Sequence, residues 1–124
     1  MAHYAKVQGG IVVEVIVAEA DVIAERQSDE WQWIQTSYNT VGGVHYDPET
    51  GLPSADQSKA LRKNFATLNM IYDAEADAFH SHAPYRSWTL NPETFLWQAP
   101  IPYPDDGLEY DWNERTQSWD EVTT

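Results

Sequence analysis

Histidines and their neighbours are the first residues in this chain that could do chemistry. His80 and His82 stand two apart, with Asp77 close by. On a strand this spacing would place both imidazoles on one side. A zinc site needs three or four ligands at workable spacing, yet the chain has no cysteine and only His3 and His45 as further histidines. We therefore predict solvated loop histidines and no metal site.

Carboxylates are the second candidate, because the chain carries 20 Asp and Glu residues and a pair of carboxylates can hydrolyse a glycosidic bond. They stand mainly in turn sequences, where Asp is expected for conformational reasons. Ser81 beside His80 lacks the context of a nucleophile elbow. Gly9-Gly10 and Gly42-Gly43 lack the flanking pattern of a phosphate-binding loop. The sequence thus predicts no catalytic residue, no cofactor and no enzyme, with an acidic glycosidase as a distant alternative.

Charge and composition limit the classes of partner that this chain can have. Seven basic residues against 20 acidic ones give a net charge of −13, which repels nucleic acid and anionic membranes. Beyond Asn64 the only basic residues are Arg86 and Arg115. A hydrophobic content of 42% predicts a folded chain. Residues 1–4 lack the features of an export signal, and the longest apolar run, residues 15–18, is too short to span a membrane.

The elements that would position functional residues are mostly strands. Residues 4–7 and 11–17 predict a hairpin closed by Gly9-Gly10, and the second strand is β-branched enough to predict burial on most of both faces. Residues 20–26 predict a short helix, and residues 31–36 a strand with Trp31 and Trp33 on one face.

A turn-rich stretch follows. Residues 39–59 predict a long surface loop and a candidate contact surface, with a short strand at 44–46. Residues 61–72 predict a strand, with a helix over 55–68 as the alternative.

One short pattern recurs in the second half of the chain. A polar residue is followed six positions later by an aromatic ring, in Asp73 to Phe79, Asn91 to Trp97 and Asn113 to Trp119. An Asp or Asn side chain opens a turn by bonding backbone N–H groups two residues on, and the returning strand brings the ring opposite the residue before the turn. We therefore predict repeated β-hairpins. A fainter copy opens at Tyr46-Asp47 and is expected to break at Gly51.

These patterns predict a mainly β fold: a small antiparallel β-sandwich or barrel-like domain of successive hairpins, with one short helix near residues 20–26. We expect a single domain over residues 1–124, with a hairpin, helix and loop in 1–71 and hairpin repeats in 72–124. Prolines at every second position of 99–104 predict an unpaired, polyproline-like segment that docks on aromatic rings of this domain or of a partner. Thirteen Trp and Tyr residues exceed what so small a core can bury. The predicted partner-binding residues are Arg62, Lys63, Tyr85, Trp88, Tyr103 and Trp112.

Ten short segments spread along the chain carry a family resemblance: MAHYAKV (1–7), GIV (10–12), VIVAE (15–19), WIQTSYN (33–39), LRKNF (61–65), YD (72–73), DAF (77–79), SWTLN (87–91), LWQAP (96–100) and PDDG (104–107). Together they resemble a family of small virion proteins of tailed bacteriophages, notably phages of cyanobacteria. The resemblance implies a non-enzymatic structural protein of the virion, assembled in the host cytoplasm, and brings no catalytic residues with it.

Within that class we favour a capsid decoration, or cement, protein that binds the major capsid protein. A module of the tail, baseplate or fibre that binds tail proteins is the alternative, and either could form a homo-oligomer. A carbohydrate-binding module is a second class, which would stack sugars on exposed Trp88, Trp97, Trp112 or Trp119.

Overall fold

The protein folds mainly as antiparallel β-structure with one short helix, which confirms the predicted fold class. The computed structural model describes residues 1–122. In chain order the elements are β1 (Ala2–Gln8), β2 (Ile11–Ala18), α1 (Ala20–Glu25), β3 (Gln32–Thr36), β4 (Thr40–Val41), β5 (Val44–His45), β6 (Ile71–Asp73), β7 (Ala78–His80), β8 (Thr89–Leu90), β9 (Trp97–Gln98), β10 (Tyr110–Asn113) and β11 (Ser118–Glu121).

The chain forms two compact units. The first takes residues 1–82 with 92–95, and the second takes 83–91 with residues from 96 onward. The division expected at residues 71/72 lies inside the first unit, because β6 pairs with β2 through Ile71 and Ile11. That residues 1–124 make one domain stays a prediction.

A curled five-stranded sheet, shaped like half a barrel, forms the first unit. Its strand order is β3-β1-β2-β6-β7, and neighbouring strands are antiparallel. The predicted β1–β2 hairpin is confirmed, with Gln8 opposite Ile11. Gly9 and Gly10 close it with φ of +61° and +80°, the pair of positive angles that a tight two-residue hairpin turn requires.

Only Val12 and Ala18 of strand β2 are buried, so the prediction of burial on most of both faces is wrong. Val12 is fully buried, whereas Val13 and Val17 are 44% and 52% exposed. The β-branched composition reflects strand propensity at these exposed positions.

The rings of Trp31 and Trp33 lie on one face, as predicted. The ammonium of Lys6 lies 4.1 Å from the ring centroid of Trp31 and 6.0 Å from that of Trp33.

The core of the first unit consists of two apolar clusters. One contains the buried residues Ala5, Val7, Val12, Ile34, Ala66 and Phe79, and the other Tyr4, Ala18, Ile23 and Trp33. Ile23 is the buried residue of α1. The short helix therefore belongs to the second of these clusters.

Residues 61–70 form neither the predicted strand nor the alternative helix. Arg62, Lys63 and Asn69 have φ of +52°, +70° and +73°, which neither element allows. The backbone of this segment bonds to other parts of the first unit instead: the Phe65 N–H donates to the carbonyl of Thr40 in β4. Regular pairing begins only at Ile71.

The repeated hairpin pattern is confirmed in all three full copies. Tyr72 lies opposite Phe79, Leu90 opposite Trp97, and Trp112 opposite Trp119. In two of these copies the turn-opening bond spans three residues rather than two, since Asp73 accepts from the Ala76 N–H at 3.1 Å and Asn113 from the Thr116 N–H at 3.2 Å.

The faint fourth copy also closes, contrary to the expected break. Tyr46 forms a bridge with Pro53, six positions after Asp47. The fourth residue after the polar start has a positive φ in every copy, namely Gly51 (+72°), Asp77 (+55°), Phe95 (+56°) and Gln117 (+50°). Glycine tolerates this conformation best, so Gly51 fits the turn that it was expected to end.

Candidate aromatic binding groove

Four of the predicted partner-binding residues come together in an aromatic cluster of the second unit. Tyr85 lies 5.4 Å from Trp88, measured between ring centroids, and Trp88 lies 5.9 Å from Trp112. Trp119 completes the cluster at 5.1 Å from Trp112 and 5.0 Å from Tyr103. Most of these pairs meet edge to face, which suits the ring quadrupole, so the rings pack against one another rather than forming one flat platform.

Strands β10 and β11 set the centre of this cluster. Their register places Trp112 opposite Trp119, and Trp112 is 9% exposed, so it serves mainly as core. The Trp112 Nε1–H donates to Glu114 Oε1 at 2.9 Å. The same carboxylate accepts from the hydroxyl and the backbone N–H of Ser87, and these bonds from Ser87 and then Trp112 lower the pKa of Glu114.

The proline-rich segment is tied to the same strands, as predicted for docking on rings of this domain. Trp119 Nε1–H donates to the Ile101 carbonyl at 2.8 Å. The Tyr103 hydroxyl accepts from the Tyr110 N–H at 2.9 Å. These two bonds hold the segment in place. Residues 99–104 themselves form no strand in the part of the chain that the structure describes.

An open cavity of about 430 Å³ lies along this segment, and we call it the aromatic groove. It is lined by Trp88, Trp97, Gln98, Ala99, Pro100, Ile101, Pro102, Tyr103 and Trp119. None of these lining residues is charged. Ile101 and Tyr103 are 46% and 51% exposed, so apolar side chains of the groove face solvent.

Trp88 carries the one unusual polar atom in the groove lining. Its Nε1–H is buried and has no hydrogen-bond partner among residues 1–122. A buried donor without a hydrogen-bond partner lowers the free energy of unfolding by about 1–3 kcal/mol. The structure therefore holds an unsatisfied donor beside an apolar cavity.

The second unit is strongly acidic. It has seven acidic residues and two basic ones, Arg86 and Arg115, which leave a net charge of −5. Asp106 accepts from the Tyr110 hydroxyl. This hydrogen bond raises the pKa of Tyr110 to about 12 and lowers the pKa of Asp106.

The other two predicted residues, Arg62 and Lys63, belong to the first unit. The Arg62 guanidinium donates to Asp77 Oδ1 at 2.8 Å and to the Gln35 carbonyl at 2.8 Å. Tyr72 donates to the same carboxylate, and its bond, followed by those of Arg62, lowers the pKa of Asp77. Arg62 therefore has a structural role within its unit.

The histidine pattern does not converge on a metal site. The His80 ring bonds the Ser81 carbonyl and the His82 ring bonds the Asn69 carbonyl, while Asp77 is held by Arg62. Over residues 1–122 no group of three or more His, Cys, Asp or Glu side chains is placed to hold a metal ion. Within that same range, no helix has the length and apolar character needed to cross a membrane.

A second cavity, of about 450 Å³, lies in the first unit. Lys59, His3 and His45 line it together with the ring of Tyr38, and none of its lining residues is acidic. Cationic and hydroxyl groups suit an anion. Part of the lining comes from residues 39–59, the predicted contact surface, and the rest comes from residues 1–3, 35–38 and 61, which the sequence did not connect with that stretch.

Sequence reasoning identified the rings of the groove by residue type and the segment 99–104 by its prolines. It missed Ile101 as a lining residue and the hydrogen bonds between Ser87 and Glu114 that connect their two segments.

Comparison with known proteins identifies no relative: no family model, curated protein or solved structure matches this chain.

Proposed function

We propose that this protein is a non-enzymatic structural component of a tailed-phage virion, and that it binds other virion proteins through the aromatic groove. The observation that carries the proposal is the groove itself, an uncharged cavity lined by three Trp rings and a half-exposed Tyr. Aromatic side chains of this kind anchor protein interfaces. The resemblance of segments along the chain to small virion proteins supplies the setting.

Capsid decoration is the role that we favour within this class. A protein that binds only the assembled lattice stabilises it by mass action, without any covalent chemistry. Many copies would each contribute one modest interface. The exposed apolar residues of the groove would be covered in the particle, while the acidic exterior keeps the free protein soluble.

The direct test is to purify particles from infected cells and measure the copy number of this protein by quantitative mass spectrometry. A capsid decoration protein is expected at hundreds of copies, and labelled antibody should decorate the shell. A few to tens of copies, with label on the tail, would favour the tail, baseplate or fibre alternative. Absence from purified particles would overturn the virion proposal.

A matched pair of variants connects the particle to the groove. Tyr103→Ala removes a half-exposed ring of the groove, whereas Tyr38→Ala removes a ring of similar exposure, 56%, from the first unit. We expect the first variant to be depleted from particles and the second to be retained. Equal retention of both variants would show that the groove is not the contact.

A further inference from the structure

We infer that the aromatic groove binds an extended, proline-containing and positively charged peptide segment of its partner. The inference deepens the proposed function by naming the chemistry of the partner, and it rests on that function for the setting. Four features of the groove carry it: a docked proline-rich segment, its size, its small number of free polar groups and its charge.

The protein already binds one uncharged proline-rich segment, residues 99–104, within its own chain. The Ile101 carbonyl, between Pro100 and Pro102, accepts the Trp119 Nε1–H at 2.8 Å, and the Tyr103 ring packs on Trp119. An indole N–H that donates to a carbonyl, beside aromatic rings that receive prolines, is how grooves recognise polyproline II peptides. The rings at this place are therefore suited to the backbone of a proline-rich chain.

The groove still has room next to that docked segment. Its volume of about 430 Å³ lies in the range of ligand sites, about 300–1,000 Å³. Trp97 and Trp88 line it on the side of β8 and β9, and Pro100 and Pro102 line it from the proline-rich segment. Proline rings of a second segment would fill such a cavity without burying an unpaired N–H, because proline has none.

The polar groups of the groove favour a peptide over a sugar. A sugar carries many hydroxyls, each of which needs a partner when it is buried. Gln98 is the only lining residue with a side-chain amide. The Tyr103 hydroxyl already accepts from Tyr110, and the Trp119 N–H already donates to Ile101. A proline-rich backbone needs fewer hydrogen bonds and loses little entropy on binding.

The charge of the unit selects a basic peptide. Asp105 and Asp106 follow the proline-rich segment directly, and Glu121 is two residues from Trp119, on the same face of β11. Acidic residues thus stand close in sequence to residues that line the uncharged groove, in a unit of net charge −5. Lys or Arg residues between the prolines of a partner would meet these carboxylates and raise the association rate at low salt.

The experiment uses the full chain and a synthetic decapeptide with proline at every second position and lysine at the others. Two matched peptides replace every proline by alanine or every lysine by glutamate. Binding is followed by titration calorimetry and by the indole N–H signals in ¹⁵N NMR spectra, where Trp88, Trp97 and Trp119 are reporters because all three line the groove. We expect the first peptide to bind at least about tenfold more tightly than either matched peptide.

Variants locate the binding. Trp97→Ala and Tyr103→Ala should weaken the peptide about tenfold, and Tyr38→Ala should leave it unchanged. The surface variant Asp105→Asn, which removes no packing, should weaken binding at low salt and lose that effect in high salt. Equal binding by the groove variants and the wild type would overturn the inference, as would saturable binding of a chitin or glucan oligosaccharide without any peptide binding.

Particle assays separate this inference from the proposed function. Peptide binding by a protein that is absent from particles would leave the groove chemistry standing and overturn the virion role. Retention of Trp97→Ala and Tyr103→Ala in particles, together with no peptide binding by the wild type, would overturn the groove chemistry and leave the virion role.

Discussion

The side chain of Asn64 bonds backbone groups of several segments of the first unit, and its removal gives the sharpest stability prediction. Asn64 is 7% exposed. Its Nδ2 donates to the carbonyls of Phe79 at 2.9 Å and Phe95 at 3.0 Å, and its Oδ1 accepts from the Gly42 N–H at 2.9 Å. One amide thus satisfies backbone groups of three segments.

Asn64→Ala leaves two carbonyls and one N–H without this partner. Each buried group that loses its hydrogen bond costs about 1–3 kcal/mol, and water entering the vacated space recovers part of that cost, so we expect a loss of about 3–5 kcal/mol. That is a large share of the roughly 5–15 kcal/mol that stabilises a typical domain. Asn64→Asp keeps the acceptor, and in its ionised form it has no donor for the two carbonyls. Because burial raises the pKa of the introduced carboxyl, that variant should lose stability as pH rises from 4 to 7.

Urea unfolding, followed by tryptophan fluorescence and circular dichroism, measures the free energy of unfolding. Hydrogen exchange at the Gly42 N–H reads the local bond directly and should accelerate in Asn64→Ala. Gln32→Ala, which truncates an exposed amide of β3, is the control and should change stability by less than about 0.5 kcal/mol. A loss below about 1 kcal/mol in Asn64→Ala, with Gly42 still protected, would refute the reasoning.

Three further predictions follow from single contacts. Gln27→Ala should expose the edge of β3, because the Gln27 amide bonds both the N–H and the carbonyl of Trp33. We expect the free energy of unfolding to fall by about 1–2 kcal/mol and the variant to self-associate with rising concentration in size-exclusion chromatography. A stable monomer would contradict this. Asp106→Asn should return the pKa of Tyr110 from about 12 towards its usual 10, measured by ¹³C NMR of the ring. Because the folded-state pKa is raised, the stabilisation from this bond is fully present below pH 10 and is lost as pH rises through 12, and an unshifted Tyr110 in the variant would count against it. Gln117→Gly should stabilise the β10–β11 hairpin by about 0.5–1 kcal/mol, because it relieves a positive φ of +50°; thermal denaturation tests it, and destabilisation would show that the side chain matters more than the strain.

Local features of the fold could be predicted from the sequence because short-range chemistry sets them. The six-residue spacing after Asp73, Asn91 and Asn113 gave hairpins with the expected pairs. Gly9-Gly10 likewise gave its turn. In each case the residues that decide the structure lie within one turn of one another.

Long-range features could not be predicted in the same way. Residues 61–70 are irregular because their polar groups bond to distant segments, as when Asn64 reaches Phe95. Nothing near Ile71 in sequence indicates that it pairs with Ile11. A periodic pattern reports propensity, and these tertiary bonds outweigh it.

The candidate site was predictable by residue type but not by arrangement. Tyr85, Trp88, Tyr103 and Trp112 do meet in one unit, since all four lie on successive hairpins or on the segment between them. The adjacent cations Arg62 and Lys63 looked like a surface patch, yet the Arg62 guanidinium bonds Asp77 and Gln35 within its own unit. The number of charged residues can be read from the sequence, but which of them form ion pairs can be read only from the structure.

The tip of the β8–β9 hairpin, residues 92–95, belongs to the first unit although its strands belong to the second. During synthesis the ribosome must therefore release the chain past Phe95 before the amide of Asn64 can find all of its acceptors. A clone that stops at residue 82 would omit that tip. A fragment that keeps the bond from the Asn64 amide to the Phe95 carbonyl must therefore extend at least to residue 95.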